Sequence, residues 1–181
     1  NHRQETGFSG DLVFQPGIKV STDIHASPHA LTIKKLVIKD QDALASIKFT
    51  QKNRTADLYF AGNLHKSTLD GIVAKNQILT GWVKGNFHAH VLLDRPFNST
   101  LKGEVQASNL FFPGASTSPL IVKDLSLETI QDNLQVESAK LSWADNQFEL
   151  TGNVDMSAPV PNLNMELYSE AIDLDTLIQA M

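Results

Sequence analysis

Two pairs of histidines come nearest, in residue type and spacing, to a site that could do chemistry. His88 and His90 stand two residues apart in "FHAHV", and positions 25 and 29 frame "HASPH". Residues two apart on a strand share a face, so two imidazoles with a carboxylate such as Asp23 or Asp94 could hold zinc. The spacings match no zinc-ligand pattern, and nothing in the sequence places the two pairs together. We therefore interpret the histidines as part of a polar strand face and expect no metal.

Motifs for catalysis are missing from the sequence. The chain contains no G-x-S-x-G, G-x-G-x-x-G, P-loop or H-E-x-x-H motif. It also contains no cysteine, which excludes a disulfide scaffold, thiol catalysis and Cys-ligated zinc. We expect a protein without enzymatic activity and without a cofactor.

The charge of the chain argues against nucleic acid as a partner. The formal net charge is −5 with a pI near 5.6, whereas binding phosphodiesters needs a dense basic surface. Basic residues are nevertheless concentrated in one stretch, at Lys34, Lys35, Lys39, Lys48, Lys52 and Arg54. They could attract anionic lipid headgroups at the rim of a groove. The favoured interpretation is solvated strand faces and edge strands protected by lysine.

Alternation of apolar and polar residues dominates the chain and predicts strands. Strict alternation over four to eight residues indicates a strand with one apolar and one wet face, as in antiparallel sheets. The clearest examples are "ASIKFT" (45–50), "DLYFAGNL" (57–64), "STLKGEVQAS" (99–108), "AKLSW" (139–143) and "QFELTGNV" (147–154). Turn residues separate them at 51–53, 96–98, 112–119 and 144–147. Gly62, Gly103 and Gly152 interrupt apolar faces, which indicates either bends and close backbone approach or simple bulges and strand ends.

One helix is predicted, at the carboxyl end. In "AIDLDTLIQAM" apolar residues follow helical spacing at Leu174, Leu177, Ile178 and Met181. Asp173 can cap this helix, since acidic side chains are favoured at helix N-termini. The other closely spaced acidic pair, in "DQD" at 40–42, is interpreted as a turn rather than a calcium loop.

Three strands recur in the same order, which indicates an internal repeat over about 31–73 and 120–160. "IKKLVIKD" (33–40) matches "VKDLSLET" (122–129), and "ASIKF" matches "AKLSW" at an offset of 94 residues. "LYFAGNL" (58–64) then matches "FELTGNV" (148–154) at an offset of 90. The double polar step in the first pair predicts a β-bulge.

Strand spacing gives the expected size of the sheet. About ten residues per strand and turn yield a dozen or more strands, which span roughly 50–60 Å at about 4.8 Å each. Sheets of this size curl, split into two layers or close. The apolar face is therefore covered either by the protein itself or by another molecule.

The second half resembles the AsmA-like family of bacterial envelope proteins. The resemblance lies in "LKGEVQASNL", "IVKDLSLETI", "FELTGNV" and the closing "AIDLDTLI", and it covers roughly residues 97–181. It implies a long curled antiparallel β-sheet, forming a groove, with a short C-terminal helix. It further implies that residues 1–181 are a single β-groove segment, a fragment of a longer protein, located in the periplasm of a Gram-negative bacterium. An anchor outside this chain would hold the parent protein in the inner membrane.

The resemblance also implies the ligand and the residues that contact it. Phospholipid, or another envelope lipid, would be conducted between the inner and outer membranes, with outer-membrane assembly proteins as further partners. The apolar face expected to contact acyl chains comprises Ile33, Leu36, Ile38, Ile47, Phe49, Leu58, Phe60, Leu101, Val105, Leu125, Leu127, Leu141, Trp143, Phe148 and Leu150.

Two alternatives remain open from the sequence. The first is a self-filled β-sandwich that acts as a structural or assembly module for outer-membrane proteins. The second is a carbohydrate-binding β-domain, which is disfavoured because Trp82 and Trp143 are the only tryptophans.

Overall fold

The fold is a single sheet of long antiparallel strands. The computed structural model describes residues 6–15, 17–76, 79–95, 98–112, 118–158 and 160–176. Within these ranges the elements are β1 (Thr6–Phe14), β2 (Ile18–Ser27), β3 (Ala30–Lys39), β4 (Leu44–Lys52), β5 (Thr55–His65), α1 (Lys66–Asp70), β6 (Leu79–Leu92), β7 (Thr100–Phe112), β8 (Leu120–Ile130), β9 (Asn133–Trp143), β10 (Asn146–Asp155) and β11 (Asn162–Tyr168).

Each strand pairs with the strands before and after it in sequence. In the described residues the eleven strands form one sheet in the order β1 to β11, with β1 and β11 as its two edges. The sheet curls but does not close into a barrel, which confirms the fold predicted from the sequence. The expected dozen or more strands is an overestimate because the strands are longer than assumed, up to 14 residues in β6. Ten intervals of about 4.8 Å make the sheet about 48 Å across its strands.

Both predicted bulges are present. The register of β3 against β4 shifts between Ile33 and Leu36, where Lys34 and Lys35 stand in the place of one residue. In the second copy of the pattern, the register of β8 against β9 shifts between Val122 and Asp124. Because each bulge shifts the alternation by one position, the apolar side chains after it lie on the same face of the sheet as those before it.

The predicted turns and the predicted helix agree with the structure where it describes them. The turn at 144–145 joins β9 to β10, and residues 53–54 turn between β4 and β5. At the carboxyl end, Asp173 Oδ1 accepts hydrogen bonds from the backbone N–H of Asp175 (3.0 Å) and Thr176 (3.2 Å). This confirms the cap, and residues 174–176 form a helical turn. Predicted helical residues beyond 176, and the predicted turns at 96–98 and 112–119, lie wholly or partly outside the described residues.

The two repeats have the same strand order but a different register. Their strands are β3–β4–β5 and β8–β9–β10. Ala45 lies opposite Gly62 in the first repeat, whereas the corresponding Ala139 lies opposite Leu150 rather than Gly152 in the second. Between the positions equivalent to Ala45 and Gly62, the second hairpin has four residues fewer than the first. The pairing of its two strands is therefore shifted by two residues. A shift by an even number keeps every side chain on its face of the sheet.

Glycines within the strands allow neighbouring backbones to approach closely. Gly62 has φ +119°, and a Cβ added there would lie 1.9 Å from the carbonyl oxygen of Leu44. Gly152, its counterpart in the second repeat, has φ +133°, with the Asn164 oxygen 2.2 Å from such a Cβ. Gly103 also has a positive φ. Close backbone approach is therefore confirmed at these three glycines, and a register shift of the kind expected of a bulge accompanies it at Gly152.

A short helix that the sequence analysis missed covers one end of the apolar face. α1 follows β5. Its Leu69, together with Ile72 in the connection to β6, packs against a buried cluster. The cluster is formed by Ile18, Val20, Ile38, Ala45, Phe60, Leu64 and Leu79, from β2 to β6. Thr68, 1% exposed, fixes the helix by donating a hydrogen bond to Asp40 Oδ2 at 3.1 Å. The C-terminal helical turn was predicted, but α1 was missed, because a single five-residue helix carries no detectable helical periodicity.

A buried asparagine ties the C-terminal segment to the β9–β10 hairpin. Asn146 is 3% exposed, and its Oδ1 accepts a hydrogen bond from the Asp173 N–H at 2.6 Å. Its Nδ2 donates to the carbonyl oxygen of Ala144 at 2.7 Å. The last described residues are therefore part of the folded unit.

The helices of the described residues are short. None of them combines the length and the apolar character that crossing a membrane requires.

Candidate functional site

Most apolar side chains of the eleven strands lie on one face of the sheet, here called the apolar face. Exceptions on the opposite face include Val13, Val37 and Leu44. Pairing registers connect one row of residues from edge to edge. The row is Leu12, Val20, Ile38, Ala45, Gly62, Gly85, Val105, Leu127, Val136, Gly152 and Met165. Each member is apolar or glycine, so no polar side chain interrupts the row over its length of about 48 Å.

The row also reveals a glycine that the sequence analysis did not single out. Gly85 lies directly opposite Gly62, at the middle of the sheet. Neither residue contributes a side chain to the row at this point. Only the register could have identified it, since Gly85 lies in "VKGNF" without a distinctive motif.

The structure brings all fifteen predicted lipid-contacting residues to the apolar face. The predicted residues on β3 to β5 are brought together by the pairs Ile33–Phe49, Leu36–Ile47 and Phe49–Leu58. Those on β7 to β10 are brought together by pairs that include Val105–Leu127 and Leu141–Phe148. Ile38, Phe60 and Val105 are buried, at 3%, 5% and 6% exposure. The other twelve are partly exposed: Ile33, Leu36, Ile47, Phe49, Leu58, Leu101, Leu125, Leu127, Leu141, Trp143, Phe148 and Leu150.

The protein covers its own apolar face unevenly. The face is most completely covered where α1 and the connection from it to β6 pack on strands β2 to β6. At the edges of the sheet, apolar side chains that belong to the same face remain exposed. Phe8 in β1 is 52% exposed, and Leu163 and Leu167 in β11 are 59% and 63% exposed. The described chain therefore covers part of this face and leaves the rest open.

The total surface area agrees with an open sheet. The accessible surface of the chain is 12108 Å², whereas a compact monomer of 19.9 kDa exposes roughly 8,700 Å². The excess is expected of a curled single layer, because one layer has too little material to enclose its own core.

No family model, curated protein or solved structure matches this chain. The resemblance to the AsmA-like family therefore rests on the sequence motifs quoted above.

The opposite, polar face carries His88 and His90. Asp57 Oδ1 contacts His90 Nδ1 at 2.8 Å and His88 Nε2 at 3.2 Å. The candidate carboxylates in the sequence were Asp23 and Asp94. Of these, Asp23 contacts His25 at 2.8 Å, and Asp94 pairs instead with an arginine.

The partner of His88 and His90 could not be found from the sequence, since it depends on the pairing of β5 with β6. Asp57 lies directly opposite His90 in that pairing. Within the described part of the chain, no group of three metal-ligating side chains has an arrangement that could hold a metal ion. The contacts of Asp57 are hydrogen bonds across neighbouring strands.

These contacts predict the titration of Asp57. Hydrogen bonding from His90, followed by that from His88, lowers the pKa of the Asp57 carboxyl below its ordinary value, against the opposing effect of burial. Because the folded-state pKa is lowered, the stabilisation is present above the unfolded-state pKa of about 3.9 and is lost as the pH falls through the folded value. A carbon-detected NMR titration should place the pKa of Asp57 below that of an unfolded reference.

The combined substitutions His88→Ala and His90→Ala are expected to raise the pKa of Asp57 towards its ordinary value. Asp155 is the internal control, since hydrogen bonds from Ser157 lower its pKa independently of the histidines. An unchanged Asp57 titration in the double variant would show that the histidines do not hold this carboxylate in solution.

Proposed function

We propose that this chain is a periplasmic segment of an AsmA-like protein that binds phospholipid acyl chains on its apolar face and supports lipid transport between the inner and outer membranes. One observation carries the proposal: the row of apolar residues and glycines is continuous across all eleven described strands. The segment would act without any chemical step. The parent protein would be anchored in the inner membrane by a part outside this chain.

The physical basis is the open part of the apolar face. Burying apolar surface is favourable by roughly 25 cal/mol per Å², and this contribution has no directional requirement. Acyl chains that cover Leu127, Leu150 and other partly exposed residues would contribute this free energy over the open part of the apolar face. A ligand held only by such contacts can slide, since no single site fixes it.

The alternative is a structural or assembly module whose apolar face is filled by the protein itself. The packing of Leu69 and Ile72 on the buried cluster favours this function at one end of the sheet. The exposure of Leu163 and Leu167 at the other end favours a ligand. The two functions differ in whether the purified protein carries lipid.

The test compares two double variants of β11 that introduce the same number of charges. Leu163→Glu with Leu167→Glu places two carboxylates on the apolar face. Asn164→Glu with Tyr168→Glu places two on the polar face, at the same spacing. Because all four residues are exposed, neither change creates a buried charge in the free protein.

We expect protein exported to a bacterial envelope and gently extracted to carry phospholipid detectable by mass spectrometry. The amount should fall about fivefold or more in the apolar-face variant and stay near wild type in the polar-face variant, since a charge costs far more free energy against acyl chains than in water. Transfer of lipid between vesicles should follow the same order. Wild-type protein without lipid and without transfer activity would contradict the proposal.

A further inference from the structure

The polar face carries a second arrangement that lipid binding on the apolar face does not explain. Pairing across β4, β5, β6 and β7 places four polar-face residues in one straight row, namely Lys48, Tyr59, His88 and Lys102. The rings of Tyr59 and His88 stack in the middle, with centroids 3.8 Å apart and planes within 7°. A lysine therefore stands on each side of an aromatic pair.

A hollow lies beside this row. The next polar-face row contains Ala61 opposite Asn86, and the small side chain of Ala61 leaves space between its larger neighbours. The resulting cavity has a volume of about 430 Å³ and is lined by both lysines of the row, Lys48 and Lys102. We call it the polar-face hollow.

The charge of the polar-face hollow is positive in an acidic protein. Lys48 and Lys102 line it, and none of the described residues in its lining is a carboxylate. Within the described chain, no ion pair involves either lysine. The carboxylate nearest in the pairing is Glu104, which lies directly opposite Asn86 and two residues from Lys102. It does not line the hollow and forms none of the ion pairs of the described residues. The two ammonium groups therefore remain available to a ligand.

Asp57 holds the stacked pair of Tyr59 and His88 in place. The contact of His88 Nε2 with Asp57 Oδ1 fixes the imidazole, and stacking on that ring orients the phenol of Tyr59. The phenol hydroxyl of Tyr59, two residues before Ala61 on β5, and the amide of Asn86, opposite Ala61 on β6, are hydrogen-bond donors. Two ammonium groups with neutral donors between them suit a phosphate group, which lysine binds as a point charge.

We propose that the polar-face hollow binds a phosphate group, carried either by a lipid headgroup or by a small soluble phosphate compound. Lys48 and Lys102 supply the charge, and Tyr59 and Asn86 supply neutral donors. This site lies on the face opposite to the apolar row, and its existence does not depend on acyl-chain binding.

The experiment is a titration of the full chain at low ionic strength, followed by ¹H–¹⁵N NMR. Three probes are used: inorganic phosphate, glycerol 3-phosphate, and vesicles of phosphatidylcholine with or without phosphatidylglycerol. Shifts centred on residues 59, 61, 86 and 88 with the soluble probes indicate a free phosphate compound as the source. Binding only to vesicles that contain phosphatidylglycerol indicates a lipid headgroup.

The decisive variant combines Lys48→Gln with Lys102→Gln, and the matched control combines Lys19→Gln with Lys39→Gln. The control lysines are also exposed, lie opposite each other on the polar face of β2 and β3, and carry the same charge. We expect the first variant to weaken binding about tenfold or more and the control to change it about twofold or less. Equal weakening by both variants, or no binding of any probe to the wild-type protein, would overturn the proposal.

The outcome is separable from that of the acyl-chain proposal. Lys48→Gln with Lys102→Gln should leave the lipid carried by the apolar face unchanged, whereas Leu163→Glu with Leu167→Glu should leave phosphate binding unchanged. Either proposal can therefore fail while the other holds.

Discussion

Gly62→Ala is expected to lower the free energy of unfolding by about 3–5 kcal/mol, one of the largest single effects in this sheet. Two causes add. The φ of +119° is strained for any residue with a Cβ, and that Cβ would lie 1.9 Å from the carbonyl oxygen of Leu44. Because the obstacle is backbone, the β4–β5 pairing must separate to admit it. Urea unfolding followed by the fluorescence of Trp82 and Trp143 measures the loss.

Substitutions at two other glycines distinguish the effect of backbone strain from that of the steric clash. Gly17 has φ +117° with nothing within 4 Å of an added Cβ, so Gly17→Ala should show the strain alone, about 1–2 kcal/mol. Gly10 lies in β1 with its nearest atom 3.8 Å from such a Cβ, and Gly10→Ala should change stability by less than about 1 kcal/mol. If Gly62→Ala costs no more than Gly17→Ala, the close approach of β4 to β5 does not exist in solution.

Phe60→Ala is expected to lower the free energy of unfolding by about 3–5 kcal/mol, as for other buried aromatic residues. Phe60 is 5% exposed, belongs to the buried cluster and stacks on Phe87 with centroids 5.4 Å apart. Its removal leaves a cavity where the connection from α1 to β6 covers the sheet. Chemical denaturation gives the loss, and the intensity of α1 amide signals in NMR shows whether the cover loosens.

The control for this substitution is the preceding residue. Tyr59 is 49% exposed on the polar face, so Tyr59→Ala should cost about 1 kcal/mol, the free energy expected from its stacking on His88. Equal losses for the two variants would mean that the covered end of the apolar face is not a packed core.

Alternation alone predicted which residues share the apolar face. The period of two assigns Leu101 and Val105 to one side of β7, and pairing with the neighbouring strands extends that side across the sheet. The bulge at Lys34 was also visible, because two consecutive polar residues interrupt the alternation before Leu36. Such features are local, so a single sequence contains them.

Features that depend on register were not predictable. The contact of Asp57 with His88 and His90 requires the pairing of β5 with β6. The facing glycines Gly62 and Gly85 require the same pairing. Register follows from turn lengths and bulges acting together, and an error of two residues leaves every face assignment unchanged. The sequence therefore predicts the faces much better than it predicts the neighbours within a face.

The cover over one end of the sheet was missed for a different reason. α1 contains five residues, too few for apolar spacing to distinguish a helix from a turn. Its position depends on the hydrogen bond from Thr68 to Asp40, across 28 residues of sequence. The relation between covered and open parts of the apolar face therefore became visible only in the fold.

Site-specific photo-cross-linking in the bacterial envelope tests most directly whether lipid covers the apolar face. A photoreactive residue is placed at Leu127 or Leu150 on this face, and at the adjacent Ser126 or Glu149 on the polar face. All four positions are partly exposed, and the two residues of each pair occupy opposite faces. We predict phospholipid adducts from Leu127 and Leu150 and few or none from Ser126 and Glu149. The absence of adducts from both apolar positions, or equal adducts from both faces, would contradict lipid binding by this sheet.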